Sequence, residues 1–233
     1  YKTLMKNITS PITLVLLIIC GVNQEVIAQS SNLRFGIRAG AGVSFLSKNY
    51  FEYYTPPKPV LTNGFSFNGG GILNISLDNN SSIQPELLGT YESAKHSEEF
   101  QRTFDNGSLG EKVTFITTHS VVSVCVPILV KMSFGKPKAG QIGIYVGPNF
   151  GYTVSVKDVE ALSPSKANEP ETSRDLTDVS KRFQLGAIVG GDIRILDNLF
   201  MDARFGYKFT KHIDTEIFHG SFSAVSVGIG YWF

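Results

Sequence analysis

Strict alternation of apolar residues with small or polar ones is the feature that most restricts how this chain can fold. In residues 199–209, LFMDARFGYKF, every second residue from Leu199 is apolar, whereas the positions between them include Asp202 and Arg204. Because successive side chains of a β-strand point to opposite faces, this segment is predicted to be a strand with one apolar face and one mixed face. The same pattern recurs in residues 33–45, 183–195 and 224–233.

Strand-like segments of this kind fill the chain after its first 30 residues, and no amphipathic helical stretch interrupts them. We predict eight strands, which span Leu33–Leu46, Gly64–Leu77, Ser82–Glu92, Thr117–Phe134, Gly140–Val156, Arg182–Ile195, Asn198–Thr210 and Ser221–Phe233.

The connections between these strands alternate in length. Three short ones, at residues 78–81, 135–139 and 196–197, have the Asp, Asn, Gly and Pro content of tight turns or are only two residues long. Short turns at one rim and long loops at the other are typical of outer-membrane β-barrels, with the short turns in the periplasm. The predicted long loops are Ser47–Asn63, Ser93–Ile116, Lys157–Lys181 and Lys211–Gly220.

The composition of the two faces predicts which one points outward. One face is continuous and bulky, and the other is rich in glycine and charge. An eight-stranded barrel encloses only enough space for side chains, so the small residues belong inside and the apolar face meets lipid. Closure of the barrel satisfies every backbone hydrogen bond within the lipid. The sequence therefore predicts an all-β, eight-stranded antiparallel up-and-down transmembrane β-barrel; a two-sheet sandwich with one wet face is the alternative. Residues predicted to face lipid include Phe35, Ile37, Val43, Leu185, Val189, Phe205, Tyr207, Val227 and Ile229.

Ten charged residues fall on the predicted inner face. A buried unpaired charge is costly, so cross-strand ion pairs are expected to fill the lumen. The pair Asp192 and Arg194 beside Asp202 and Arg204 is the expected cluster. A structural filling that locks the barrel is favoured over a proton or ion path, because the lumen is narrow. The ten residues are Arg34, Arg38, Glu86, Glu92, Lys131, Asp192, Arg194, Asp202, Arg204 and Lys208.

The first 28 residues are predicted to be a targeting signal. Two lysines precede the apolar run Ile12–Ile19, and small residues occupy the −3 and −1 positions of a cleavage site after Ala28. This is the pattern of a cleaved secretory signal peptide. The run is shorter than the ~20 residues of a membrane-spanning helix, and the bulky residue before Cys20 argues against a lipoprotein site. Residues 1–28 are therefore assigned to the signal and 29–233 to the barrel in the outer membrane of a Gram-negative cell.

Reactive side chains give no catalytic signature. After the signal, Cys125 is the one cysteine of the sequence, so the mature chain has no intramolecular disulfide. None of the four histidines, at positions 96, 119, 212 and 219, has metal-ligand spacing to a cysteine or to another histidine. A local group of His212, Asp214, His219 and Ser221 could mimic a hydrolase or acyltransferase site, but loop composition explains it more simply. The sequence predicts no catalytic residue, cofactor or metal.

The C-terminal residues 225–233, VSVGIGYWF, resemble the last strand of outer-membrane proteins, whose terminal aromatic residues are read by the barrel-assembly machinery. Here these residues are Tyr231 and Phe233. More specifically, LRFGIRAGAGVSF at 33–45, VCVPILVKMSFG at 124–135 and IYVGPNFGY at 144–152 resemble, in order and spacing, the PorT-like outer membrane protein β-barrel family of Bacteroidetes. The resemblance implies a small eight-stranded barrel of the OmpA/OmpX type and, through the name-giving member, an association with protein secretion and gliding.

The long loops are the expected site of any specific contact. Tyr50, Phe51, Tyr53 and Tyr54 are candidates for contact with a protein or glycan; a loop folded over the barrel mouth explains them equally well. The net charge of +1 gives no basic surplus for nucleic acid. The expected partners are outer-membrane lipid, the assembly machinery and a protein or glycan. The expected function is non-enzymatic anchoring or partner binding, and the alternatives are a secretion or gliding component, a narrow transport channel or a lipid-modifying enzyme.

Overall fold

A computed structural model describes residues 32–46, 60–103, 109–135, 139–163, 172–177, 180, 182–210, 213–214 and 219–233. Within residues 100–111 and 211–220 the description is limited to the backbone. The chain separates into two units, Tyr1–Leu33 and Arg34–Phe233, and the first contributes only its last two residues to the described part. The predicted signal peptide and the loop candidates between Tyr50 and Tyr54 lie outside the described residues.

The described chain is built almost entirely of β-strands. β1 spans Leu33–Leu46, β2 Val60–Ser76, β3 Ser81–Thr103, β4 Leu109–Phe134, β5 Ile142–Ser163, β6 Thr172–Asp175, β7 Phe183–Arg194, β8 Leu199–Lys208, β9 Ile213–Asp214, β10 His219–Gly220 and β11 Phe222–Trp232. Among these residues, no helix is long and apolar enough to cross a membrane.

Eight of the strands close into a barrel. β1, β2, β3, β4, β5, β7, β8 and β11 follow one another around the ring, and β11 pairs back with β1. The pairs run antiparallel. The predicted eight-stranded up-and-down barrel is therefore confirmed. Of the other strands, β6 pairs with the end of β5, and β9 pairs with β10.

Three strands are much longer than predicted. β3, β4 and β5 contain 23, 26 and 22 residues, whereas a tilted strand crosses a membrane in about 9–11. Most of the predicted loop Ser93–Ile116 is therefore a hairpin in which Ser97 pairs with Ile116. The prediction failed there because outward positions above the apolar band carry polar residues such as Lys95 and Lys157, so apolar alternation ends while the backbone ladder continues.

Smaller differences have the same origin. β2 begins at Val60 rather than Gly64, and the predicted loop Lys157–Lys181 contains the end of β5 and the exposed strand β6. The predicted loop Lys211–Gly220 contains the two-residue strands β9 and β10. These short strands are held by backbone hydrogen bonds, and no alternating apolar pattern marks them in the sequence.

An apolar band covers the outside of the barrel. Along β4, Val124, Val126, Ile128, Val130 and Met132 are each at least 40% exposed, although they lie in the middle of a strand. The nine residues predicted to face lipid are likewise exposed. Aromatic residues lie at both ends of the band. Phe134, Tyr231 and Phe233 are near the short-turn rim, and Phe65, Phe67, Tyr91, Tyr152 and Phe183 are near the opposite rim.

Glycine on the inner face makes room for bulky neighbours, and substitution of Gly230 by alanine tests this role. A Cβ on Gly230 would overlap the ring of Phe200 and would lie 2.9 Å from the carbonyl oxygen of Ile37, whereas nothing lies within 4 Å of a Cβ on Gly71. We expect Gly230→Ala to lower the free energy of unfolding by about 1–3 kcal/mol through overpacking. Gly71→Ala should change it by less than about 1 kcal/mol. Urea unfolding in detergent micelles measures both, and equal effects would contradict this packing.

Candidate functional site: the filled lumen and a histidine cluster

A hydrogen-bonded chain of four charged side chains crosses the lumen. Arg38 donates to Asp202 through Nε and Nη2, at 2.9 and 2.7 Å. Arg204 donates to the two carboxylate oxygens of Glu86 at 2.6 and 3.0 Å, and its Nε donates to Asp202 at 3.1 Å. The guanidinium of Arg204 also lies 5.1 Å from the centre of the Tyr145 ring. These contacts join β1, β8 and β3 in one network, which we call the central network.

The central network spans the full width of the barrel. Three strands lie between β3 and β8 in either direction around the ring, so the pair Glu86–Arg204 joins opposite walls. A second bridge, Glu92–Lys208, joins the same two strands nearer the long-loop rim. Lys131 on β4 forms a further ion pair with Asp192 on β7. Each of these eight side chains thus meets an opposite charge, with four acidic and four basic groups.

The expected cluster of Asp192, Arg194, Asp202 and Arg204 forms only in part. Asp202 and Arg204 belong to the central network, but Asp192 pairs with Lys131 on β4 instead of with the charges of β8. Asp192 and Asp202 are directly opposed in the β7–β8 ladder, and like charges in that position favour other partners. Sequence spacing predicts neighbours along the wall of a barrel but not contacts across its lumen.

Two of the ten predicted lumen charges differ from the rest. Arg34 and Arg194 are half-buried near the short-turn rim and close enough to repel each other. Within the described part of the chain, neither forms an ion pair with a carboxylate. Water at the rim solvates both guanidinium groups, and a partly exposed charge of this kind needs no buried partner.

Apolar clusters close the lumen above and below its charges. At the short-turn end, Phe200 and Trp232 stack with ring centres 5.3 Å apart and pack with Ile72. At the long-loop end, a cluster forms from Leu46, Ala94, Val121, Val156 and Phe222. Between them lies a cavity of about 70 Å³ next to Arg38, Glu92 and Lys208, which is enough for a few water molecules. The described lumen is therefore filled rather than open.

A second polar cluster lies beyond the apolar band, on the extended parts of β3, β4 and β5. Nδ1 of His96 lies 2.9 Å from Nε2 of His119, and Nδ1 of His119 lies 2.7 Å from the carboxylate of Asp158. Nε2 of His96 lies 3.9 Å from Glu98. Burial, together with repulsion from His119, lowers the pKa of His96 to about 4 despite an opposing effect of Asp158. We call these four residues the histidine cluster.

Sequence reasoning missed the histidine cluster because it placed His96 and His119 in a long loop. The alternation that assigns residues to faces is absent there. Their sequence separation of 23 residues matches no common metal motif, whereas hairpin pairing of β3 with β4 brings them together. Predicting the hairpin from Ser93 onward would have revealed the contact.

The other candidates from the sequence are not tested by the described side chains. Of the group His212, Asp214, His219 and Ser221, only Ser221 has a described side chain, and it is buried. The described residues contain no group of three or more His, Cys, Asp or Glu side chains arranged to hold a metal ion. Cys125 lies buried in the lumen wall as a free thiol.

Comparison with protein families agrees with this architecture. A family model described as an outer membrane protein beta-barrel domain matches residues 27–214, which is most of the chain. The chain belongs to this family. No curated protein sequence matches it significantly. For this outer-membrane barrel protein, the family places the apolar band in the outer membrane of Gram-negative bacteria.

Solved structures of small outer-membrane barrels are similar to this outer-membrane barrel protein. Ail, the attachment invasion locus protein of Yersinia pestis, is 15% identical over 88% of this chain and 100% of its own, with a TM-score of 0.38. Neisserial surface protein A is 12% identical over 85% and 97%, with a TM-score of 0.47. OprG from Pseudomonas aeruginosa is 10% identical over 86% and 94%, with a TM-score of 0.35.

Proposed function

We propose that this protein is a non-enzymatic, non-conducting outer-membrane barrel that acts through its ends, by anchoring the envelope or by binding a protein or glycan partner. The observation that carries the proposal is the bridging of opposite walls by Glu86–Arg204 and Glu92–Lys208. An ion entering the lumen would have to displace these buried pairs, which are costly to break. Transport is therefore the least compatible of the expected functions.

The extended hairpins support a role outside the membrane. β3, β4 and β5 continue well past Tyr91 and Val122, where the apolar band ends. Together with the start of β2 and with β6, they continue the sheet beyond the apolar band. Rigid strands hold a contact surface in place better than a mobile loop does, because less conformational entropy is lost on binding.

Conductance in planar lipid bilayers tests the closed lumen. We expect purified, refolded protein to insert and to show no discrete current steps above background in about 1 M KCl, where the Debye length is only about 3 Å. A large general porin, inserted in the same membranes, is the positive control. Reproducible steps whose size rises with salt would contradict the proposal and favour the narrow-channel alternative.

A role in secretion or gliding is the second candidate. It rests on the order of the PorT-like motifs at residues 33–45, 124–135 and 144–152, two of which lie in β4 and β5. Extraction with mild detergent, followed by mass spectrometry of co-purifying proteins, separates the candidates. A stoichiometric complex with secretion proteins would favour this role, and recovery of the barrel alone would favour simple anchoring.

The lipid-modifying alternative needs space that the lumen lacks. Such an enzyme binds an acyl chain inside the barrel, whereas a cavity of about 70 Å³ is too small for one. We propose that the protein works without a cofactor and without nucleic acid, and that Tyr231 and Phe233 serve as the signal for the assembly machinery. An altered lipid profile in a deletion strain would overturn the non-enzymatic assignment.

A further inference from the structure

The histidine cluster lies beyond the apolar band and takes no part in filling the lumen. His119 is opposite Asp158 in the β4–β5 ladder and three residues from Val122, the last strongly exposed apolar residue of β4. Both rings are buried, with His96 4% and His119 1% exposed. A buried polar ring is costly unless its hydrogen bonds are kept, so this part of the sheet depends on the bonds that the two rings form.

The two imidazoles and the carboxylate form a relay that has one order of donors. The ring planes differ by 17°, and Nδ1 of His96 lies 2.9 Å from Nε2 of His119. Nδ1 of His119 donates to the ionised carboxylate of Asp158, so Nε2 of a neutral His119 can only accept a hydrogen bond. Nδ1 of His96 must then be the donor between the rings. The relay is therefore complete only while His119 is neutral.

An added proton is unfavourable at either ring. On Nε2 of His119, it would set two N–H groups against each other across 2.9 Å. On Nε2 of His96, it would place a charge on a buried ring. The nearest described carboxylate to that nitrogen is Glu98, at 3.9 Å and with 29% of its side chain exposed. This distance exceeds that of a hydrogen bond, and water screens the attraction.

The other charges that face the cluster are paired with each other. Arg174 on β6 is opposite Asp158 in the β5–β6 ladder, and its Nη2 lies 3.4 Å from the carboxylate of Glu160 on β5. On the other side of the sheet, β2 places the apolar Leu61 opposite His96. Among the described residues, the carboxylates near the cluster are thus engaged by other groups or screened by water. Burial therefore decides the charge of His96.

Burial, together with repulsion from His119, lowers the pKa of His96 from its ordinary value of 6.5 to about 4. Because the pKa in the closed sheet is below that of a hydrated ring, the closed sheet favours the neutral form. The stability that this preference gives is complete above pH 6.5 and is lost as the pH falls towards 4. For these two pKa values, opening of the sheet becomes about 20-fold more favourable at about pH 5 than at about pH 7.

We propose that the histidine cluster is an acid-sensitive latch, which keeps the extended ends of β3, β4 and β5 paired at neutral pH and releases them when the surrounding medium becomes acidic. Opening admits water to both rings, and the charged imidazoles then repel each other. The release is confined to the ladder beyond the apolar band, because the lumen network and the lipid hold the rest of the barrel closed. The inference does not depend on whether the barrel anchors the envelope, binds a partner or belongs to a secretion assembly.

Amide hydrogen–deuterium exchange, measured by mass spectrometry, tests the latch. The full-length protein in detergent micelles is compared at about pH 7 and about pH 5, and each rate is corrected for the intrinsic effect of pH on exchange. We expect the protection of residues 94–99 and 113–119, on the paired ends of β3 and β4, to fall by about 20-fold in acid. Residues 124–132, within the apolar band, are the internal reference and should keep their protection.

A substitution at His96 links the acid response to this ring. His96→Gln removes the titrating group and keeps a side-chain amide that can donate to His119, so its protection should differ by less than about threefold between the two pH values. Lys95→Gln is the matched control, because Lys95 adjoins His96 but points outward. It should keep the full acid response.

Two results would overturn the latch: wild-type protection that is the same at both pH values, or an acid response that His96→Gln retains in full. The mobility shift of an unheated barrel on a denaturing gel shows whether the variant is folded. If His96→Gln leaves the strands unprotected even at neutral pH, nitrogen NMR of histidine-labelled wild-type protein decides. The ring of His96 should stay neutral at about pH 5 in the closed sheet, and a charged ring in a protected sheet would refute the proposal.

Discussion

Replacing Glu86 by Leu should destabilise the folded barrel by about 3–5 kcal/mol, because it leaves a buried charge without its partner. Arg204 would lose both hydrogen bonds to the Glu86 carboxylate and would share Asp202 with Arg38. One negative charge would then face two guanidinium groups in a closed lumen. Unfolding in urea, followed through the fluorescence of the single tryptophan, Trp232, measures the loss.

A double variant separates the cost of an unpaired charge from the value of the pair. Glu86→Leu with Arg204→Met removes both charges and leaves Arg38 paired with Asp202. Buried ion pairs replaced by apolar residues of similar volume are often neutral or stabilising, so the double variant should recover most of the stability lost in Glu86→Leu. A single variant that costs less than about 1 kcal/mol, within the range of exposed ion pairs, would mean that the central network is hydrated.

The balance of charges also suggests why a chain would keep this network instead of an apolar filling. If both the inner and the outer face of the barrel were apolar, the sequence would not alternate, and nothing would distinguish inward from outward positions. Charges at alternate positions, such as Asp202 and Arg204 on β8, fix the register, because a shift by one residue would direct them into lipid. The network therefore specifies one folded arrangement as well as filling space.

The sequence determined the barrel better than it determined the contacts within it. Alternation along residues 199–209 assigns each side chain to a face, since period two is a local property of a strand. Contacts across the lumen, such as Glu92 with Lys208, depend on the closure and tilt of the whole sheet. Local spacing therefore predicted that Asp192 and Arg194 cluster with charges of the neighbouring strand, whereas the fold pairs Asp192 with Lys131.

The long-loop end was predictable only where lipid imposes its pattern. β1 ends where alternation ends, and its predicted bounds Leu33–Leu46 agree with the structure. β3 and β4 continue beyond the lipid, where outward positions accept polar residues, so the sequence there looks like a loop. The histidine cluster follows from that hidden hairpin, because pairing of Ala94 with His119 brings His96 diagonally next to His119.

Arginine on the outer face should lower the free energy of unfolding more at the middle of the apolar band than at its edge. Val227 is 61% exposed in the middle of β11, between Ala41 and Ala203 on the neighbouring strands. Val227→Arg should lower the free energy of unfolding in lipid vesicles by about 2–4 kcal/mol, because the guanidinium would enter hydrocarbon. Phe183→Arg, at the long-loop rim, is the control and should cost only about 0–1 kcal/mol. A water-exposed sheet predicts little difference between the two positions, so equal and small effects would refute the outward orientation of the apolar face.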